Sequence, residues 1–120
     1  MSTPIFDRIG RTVGWLDGEV VRLPNGQHIA FVSNNGVHDY GGRCIGYFED
    51  GYFRDSSGNA VAFVQGATGG PLPPLPQLPP LPPLFPLAPI APIPSIPPIP
   101  PIFTLHWSAL SWDQFLTGDF

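Results

Sequence analysis

The feature that most constrains this chain is a seven-residue pattern that returns four times at an unvarying interval of 16 residues. Gly10-Arg11-Thr12-Val13-Gly14-Trp15-Leu16 comes back as Gly26-Gln27-His28-Ile29-Ala30-Phe31-Val32, as Gly42-Arg43-Cys44-Ile45-Gly46-Tyr47-Phe48 and as Gly58-Asn59-Ala60-Val61-Ala62-Phe63-Val64. Each glycine closes a stretch of turn chemistry: Asp7-Arg8-Ile9-Gly10, Leu23-Pro24-Asn25-Gly26, Asp39-Tyr40-Gly41-Gly42 and Asp55-Ser56-Ser57-Gly58. Glycine supplies the positive φ that such turns need, and Asp or Pro opens them. A short strand carrying Ile5, Val21, Val37 or Phe53 precedes each turn, and a longer one follows it near 11–16, 27–33, 43–48 and 59–65. Asp17-Gly18, Asn34-Asn35-Gly36 and Asp50-Gly51 join one unit to the next. The prediction is four β-hairpins in a meander of about eight strands. Units one and three are the more alike, as are units two and four.

Strand alternation sorts the repeat positions onto two faces. Strict alternation sets Val13, Ile29, Ile45 and Val61 beside the aromatic residues Trp15, Phe31, Tyr47 and Phe63. Gly14, Ala30, Gly46 and Ala62 fall on the other side, where small residues let backbones approach closely. The expected fold is therefore all-β, with the hairpins in a pseudo-fourfold radial, barrel-like array that leaves no long bare edge. A flat eight-stranded meander is the alternative.

Asp50-Gly51-Tyr52-Phe53-Arg54-Asp55 leads into the fourth unit, and after the repeats come Gly66-Ala67-Thr68-Gly69-Gly70-Pro71, a proline tract, and Trp107-Ser108-Ala109-Leu110-Ser111-Trp112-Asp113-Gln114-Phe115-Leu116. In this order the features resemble the four-fold β-flower family, small and mostly bacterial proteins with hairpin petals around a common axis. The resemblance spans nearly the whole chain. It implies that fold and brings no catalytic residues with it. The family's proline tract is often interrupted by basic residues, whereas the tract here is uncharged and aliphatic.

Within the tract, Leu72, Leu75, Leu78, Leu81, Leu84, Leu87, Ile90, Ile93, Ile96, Ile99 and Ile102 keep a strict period of three, with proline at most positions between. Proline excludes an α-helix and a central strand. Polyproline II has three residues per turn, so the aliphatic side chains form one stripe, on a rod of roughly 95–100 Å if straight at about 3.1 Å per residue. A disordered linker is the plainer alternative. A solvated linker, however, gains nothing from eleven aligned aliphatic residues. The stripe is expected to be buried, on its own domain or on other copies, with the aromatic face offering a surface for proline rings.

At the C-terminus, Ser111-Trp112-Asp113-Gln114 matches a capping box and Gly118 a helix stop. The short helix between them should dock on the β domain, with Trp107, Trp112 and Phe115 as its plug. The organisation read from the chain is thus residues 1–70 as the β domain, 71–102 as the tract and 103–120 as a docking segment of strand and short helix, in which Phe103-Thr104-Leu105 adds one more short strand or anchors the end of the tract.

Composition narrows the function. A net charge of −4 with five basic residues argues against nucleic acid or an anionic membrane as partner. The single cysteine, Cys44, rules out an internal disulfide. It sits at a repeat position shared with Thr12, His28 and Ala60, which reads as a small strand residue rather than a nucleophile. His28, His38 and His106 lack metal-ligand spacing. A His38–Asp39 acid/base pair fails because strand neighbours point to opposite faces. Arg11, Arg43, Arg22 and Arg54, with Asp7, Asp39 and Asp55, read as surface ion pairs. The glycines form no phosphate loop, since no helix follows them. No signal sequence and no membrane-spanning segment is read, so the cytoplasm is the default location. The expectation is a non-enzymatic structural or interaction protein without cofactors, a homo-oligomer or larger assembly joined through the tract. An apolar ligand or lipid held in the centre of the array is a second reading, and a tract offered to polyproline-reading domains a third.

Overall fold

The structure is a computed structural model that describes residues 2–118. The ends of the outer segments, Met1, Asp119 and Phe120, lie outside the described residues. Eight antiparallel strands follow one another as β1 (Ser2–Asp7), β2 (Thr12–Asp17), β3 (Val20–Arg22), β4 (His28–Ser33), β5 (Gly36–Asp39), β6 (Cys44–Glu49), β7 (Tyr52–Arg54) and β8 (Ala60–Phe63). Each pairs with the next, and β8 returns to β1 through Phe6–Phe63 and Asp7–Ala62, so the sheet closes into a barrel. Closure removes the edges that a flat meander would expose.

The turn chemistry explains each hairpin. Asp7 Oδ1 accepts the N–H groups of Ile9 and Arg11 at 3.0 Å, and Asp39 and Asp55 repeat the arrangement in their own turns. Gly10, Gly26, Gly42 and Gly58 all take positive φ, between 85° and 93°. At the opposite end of the barrel, Asn34 and Asn35 both have positive φ, the signature of the tight turn that suits the twist of flanking strands.

Every hairpin also carries a β-bulge, which corrects the assignment of faces. Ile5 pairs with Gly14 and Phe6 with Thr12, so Val13 is one residue extra. Ile29, Ile45 and Val61 are skipped in the same way in the other three units. The extra residue interrupts the alternation. Val13, Ile29, Ile45 and Val61 therefore join the barrel interior with Ala30 and Ala62, while Trp15, Phe31, Tyr47 and Phe63 lie on the outer wall.

The interior is completed by the helix α1 (Trp112–Thr117). Its Ser111 hydroxyl accepts the Gln114 N–H, the Gln114 side chain accepts the Ser111 N–H, and Gly118 ends it in the left-handed conformation. Trp112, Phe115 and Leu116 are buried in one cluster with Ile5, Val21, Val37 and Phe53. Phe53 meets the Trp112 ring edge-on at 5.1 Å. An eight-stranded barrel is just wide enough to be filled by side chains, and here a docked helix supplies several of them. Trp107 does not belong to this plug: it packs on Tyr52 and Phe63 at the outer wall.

Candidate functional site

The residues with no evident structural occupation of their side chains are the aliphatic ones of the proline tract, and how the tract is held determines where they point. It neither projects nor forms a strand, and Phe103-Thr104-Leu105 adds no strand after it but anchors its end through the Thr104 N–H on Gly58 O. With the tract included, the molecule measures 35 × 35 × 22 Å and has a radius of gyration of 13.2 Å. The tract instead runs round the barrel wall as a belt, in register with the hairpins.

That register is nine residues of belt to one hairpin. Leu75, Leu84, Ile93 and Ile102 bring their carbonyl oxygens against the turn glycines Gly10, Gly26, Gly42 and Gly58. A Cβ on Gly10 would meet the Leu75 oxygen at 2.7 Å, and one on Gly26 the Leu84 oxygen at 3.0 Å, so these glycines serve the belt as well as the turn. Two residues further on, the N–H of Gln77 donates to Gly10 O at 2.9 Å, that of Ser95 to Gly42 O at 2.8 Å and that of Thr104 to Gly58 O at 3.1 Å. Nine residues of polyproline II span roughly 28 Å, and four such arcs make roughly 110 Å, the circumference of a circle about 35 Å across. The belt has the length needed to encircle the barrel once.

In the second unit the corresponding residue is Pro86, which has no N–H. Arg22 takes over: its Nη1 donates to Gly26 O at 3.0 Å and to Pro86 O at 2.8 Å, and its guanidinium lies 4.9 Å from the Phe85 ring centroid. Arg54 occupies the same place in the fourth unit. It donates to Gly58 O and Gly69 O at 2.9 Å and to Thr104 O at 2.6 Å, and lies 4.9 Å from the Phe103 centroid. Burial pulls the Arg54 pKa down, while Tyr52, Glu49, Asp50 and Asp55 push it back up. Arg22 and Arg54 are thus not surface ion pairs but buried tethers, 4% and 2% exposed, although Arg22 keeps a contact with Asp17 at 3.2 Å. Arg11–Asp7 and Arg43–Asp39 do form ion pairs with the arginine exposed, at 3.0 and 3.4 Å.

The aromatic wall lies beneath the belt. Trp15 packs 6.3 Å from Phe85 and Tyr47 6.1 Å from Phe103, and the Tyr47 hydroxyl donates to Pro98 O at 3.3 Å. In unit three, His38 holds the place of Arg22 and Arg54. It is fully buried and stacked on Phe31 at 5.3 Å, with neither ring nitrogen partnered among the described residues. Both ends of the belt meet at Tyr52, whose hydroxyl donates to Pro71 O and whose ring lies 6.2 Å from Trp107.

With carbonyls, N–H groups and inner prolines turned to the wall, the aliphatic stripe faces solvent. Leu72, Leu75, Leu78, Leu81, Leu84, Leu87, Ile90, Ile93, Ile96, Ile99 and Ile102 are each 90–97% exposed. The stripe is not covered by its own domain, contrary to one branch of the expectation. Leu105 continues it at 68% exposure. Sequence reasoning stopped at the period of three, yet a longer period was available. Leu72–Pro80, Leu81–Pro89, Ile90–Pro98 and Ile99–Trp107 align as four nine-residue units, each with three aliphatic residues, and with Phe85 matching Phe103.

Further depressions lie among the described residues. One of about 570 Å³ lies beside α1, and the Asp7, Arg11, Ser111 and Gln114 that line it already bind one another or adjacent backbone. Another, about 650 Å³, lies between the belt at Pro97–Pro101 and Tyr47, Phe103 and Glu49. The half-buried Cys44 thiol contacts Gly46 O at 3.4 Å, and burial pushes its pKa up. Among the described residues, no helix is long and apolar enough to cross a membrane.

No curated protein and no solved structure matches this chain. The family model described as "4-fold beta flower protein" matches residues 3–116, which takes in barrel, belt and plug together. The chain belongs to the 4-fold beta flower family.

Proposed function

We propose that this is a non-enzymatic structural or interaction protein that self-associates through the aliphatic ring on its belt. The observation that carries the reading is the outward turn of all eleven period-three aliphatic residues, each at least 90% exposed. At about 25 cal/mol per Å², the ~1.5–3 kcal/mol gained by burying one Leu or Ile corresponds to roughly 60–120 Å². Eleven such residues, with Leu105, amount to roughly 700–1,400 Å². That exceeds the roughly 300–600 Å² of the largest apolar patch on a typical monomer. It is also of the order of the ~800 Å² that each partner contributes to a standard interface.

The partner we assign is a second copy of the chain. The protein is acidic, and each of its five arginines is already committed: Arg8 to Ser108 O, Arg11 and Arg43 to aspartates, Arg22 and Arg54 to the belt. Little cationic surface is left for a phosphate-bearing partner. The same commitments favour a non-catalytic role, since the turn aspartates accept backbone N–H groups and the Cys44 thiol is held protonated at neutral pH. An apolar ligand at the barrel centre would have to displace Trp112, Phe115 and Leu116.

Static light scattering on the full chain tests the proposal, beside a variant with Leu75, Leu81, Leu87, Ile93 and Ile99 changed to Ser. The full chain should scatter as a multimer and the variant as a far smaller species. Equal masses for the two at matched concentration would sink the reading.

A further inference from the structure

The placement of the stripe says more than that copies meet. The belt lies on the wall of the barrel rather than on either end. Ile93 touches Gly42 at one set of turns, Pro97 lies 3.0 Å from a Cβ built on Gly36 at the other, and Pro98 sits over Tyr47 between them. Its carbonyls reach a turn glycine in all four units, and both its ends come to Tyr52. The aliphatic residues are therefore distributed round the whole circumference, pointing away from the wall, and do not gather on one face.

A ring that faces outward cannot be covered by one neighbour. A single partner of similar size meets one arc and leaves the opposite arc in water, whatever the symmetry of the contact. The two arcs also differ in chemistry. Leu72 to Leu87 span the first two units with γ-branched side chains, whereas Ile90 to Ile102 span the last two with β-branched ones. By the estimate used above, half the ring still leaves roughly 350–700 Å² of aliphatic surface exposed, as large as the biggest patch found on typical monomers.

We infer that self-association is open-ended: each copy takes a neighbour on its Leu arc and another on its Ile arc, so the assembly grows past a pair. This rests on the self-association proposed above and adds the number of neighbours. Contacts on two opposite, unlike arcs generate chains or sheets of copies unless the rotation between them happens to close a ring.

The test is sedimentation velocity over a concentration series, on the full chain and on two variants. The first carries Leu75→Ser, Leu78→Ser, Leu81→Ser and Leu84→Ser; the second carries Ile93→Ser, Ile96→Ser, Ile99→Ser and Ile102→Ser. All eight positions are at least 91% exposed apart from Ile102 at 90%, so barrel and plug stay intact, which an unchanged near-ultraviolet circular dichroism spectrum verifies. The full chain should climb well past twice its 13.0 kDa mass as concentration rises. Neither variant, alone or mixed with the other, should exceed two copies. A full chain that stops at two copies at every concentration overturns the open-ended assembly and leaves self-association standing. A full chain that stays a single copy throughout removes both. Variants that grow as large as the full chain would show that the arcs are not the contacts, and overturn both as well.

Discussion

Arg22 donates from Nη1 to the carbonyl of Pro86 at 2.8 Å, across 64 residues of chain, at the one quarter of the belt where the backbone has no N–H to offer. The remaining quarters use the N–H groups of Gln77, Ser95 and Thr104 on the equivalent glycine carbonyls. Arg54 repeats the arginine bridge half a turn away, on Thr104. Barrel and belt therefore share a twofold alternation within their fourfold repeat, and each is folded against the other.

The arginine tethers predict a graded loss of stability. Arg22→Met leaves the Gly26 and Pro86 carbonyls without their donor and should cost about 1–3 kcal/mol in urea unfolding. Arg54→Met removes a donor from three carbonyls, of which Gly58 O keeps the Thr104 N–H, and should cost more. Arg11→Met, at an exposed ion pair, should fall within about 1 kcal/mol of the parent chain. Equal effects at all three positions would contradict the tether assignment.

A rescue follows from the nine-residue register. Pro86→Gln puts an N–H where Gln77, Ser95 and Thr104 carry theirs, so in the Arg22→Met background it should restore part of the lost stability, on the order of 1 kcal/mol. In the parent chain the same substitution should gain much less, because Arg22 already serves Gly26 O. A double-mutant cycle with no coupling between the two positions would argue against the register.

Packing at the barrel centre makes a third prediction. A Cβ on Gly46 would collide with the Phe115 ring and with Arg54 O, and one on Gly14 with Arg22 O. Gly46→Ala should therefore destabilise by about 1–3 kcal/mol through overpacking, and Phe115→Ala by about 3–5 kcal/mol through the cavity it leaves. A chain ending at Gly70 loses belt and plug together and should lack a cooperative thermal transition. A sharp transition in that truncated chain would show that the barrel needs neither.

Alkaline pH should loosen the molecule. Burial raises the pKa of Tyr52, with Arg54 pulling it back down, and burial likewise raises Tyr40, Tyr47 and Cys44. Groups held neutral in this way contribute stability that is complete below their unfolded values, about 8.5 for Cys and 10 for Tyr, and lost as pH rises towards the folded ones. Thermal midpoints should be flat through neutral pH and fall above about pH 9. Tyr52→Phe should shallow that decline while lowering the plateau, since Pro71 O loses its donor. A decline of unchanged slope would place the titration elsewhere.

Much of this architecture was legible in the chain because local chemistry and repeat agree. Turn glycines with positive φ, Asp at three of the four turn starts and the capping box at Ser111 all follow from residues within a few positions of one another. Three features were not legible in that way. The bulge at Val13, Ile29, Ile45 and Val61 shifts those residues inward, and an alternating apolar pattern looks the same whether or not a residue is skipped. The pairing of Arg22 with Pro86 joins two repeats of different period, 16 and nine, so neither repeat alone predicts it. Trp107, expected in the plug with Trp112 and Phe115, instead lies at the outer wall, where it forms a parallel bridge with Ala60.

The central claim is that the proline tract is a folded belt in nine-residue register with the hairpins, and amide hydrogen exchange by nuclear magnetic resonance tests it most directly. The N–H groups of Gln77, Ser95 and Thr104 should exchange slowly, since each is bonded to a glycine carbonyl of the barrel. Those of Leu75, Leu84 and Ile93, which turn their carbonyls rather than their N–H groups towards the barrel, should exchange far faster. Protection at Gln77, Ser95 and Thr104, spaced at multiples of nine residues with the Pro86 position carrying no amide, is the predicted result. Uniformly fast exchange along the tract would mean a free linker, and would contradict the belt and everything built on it.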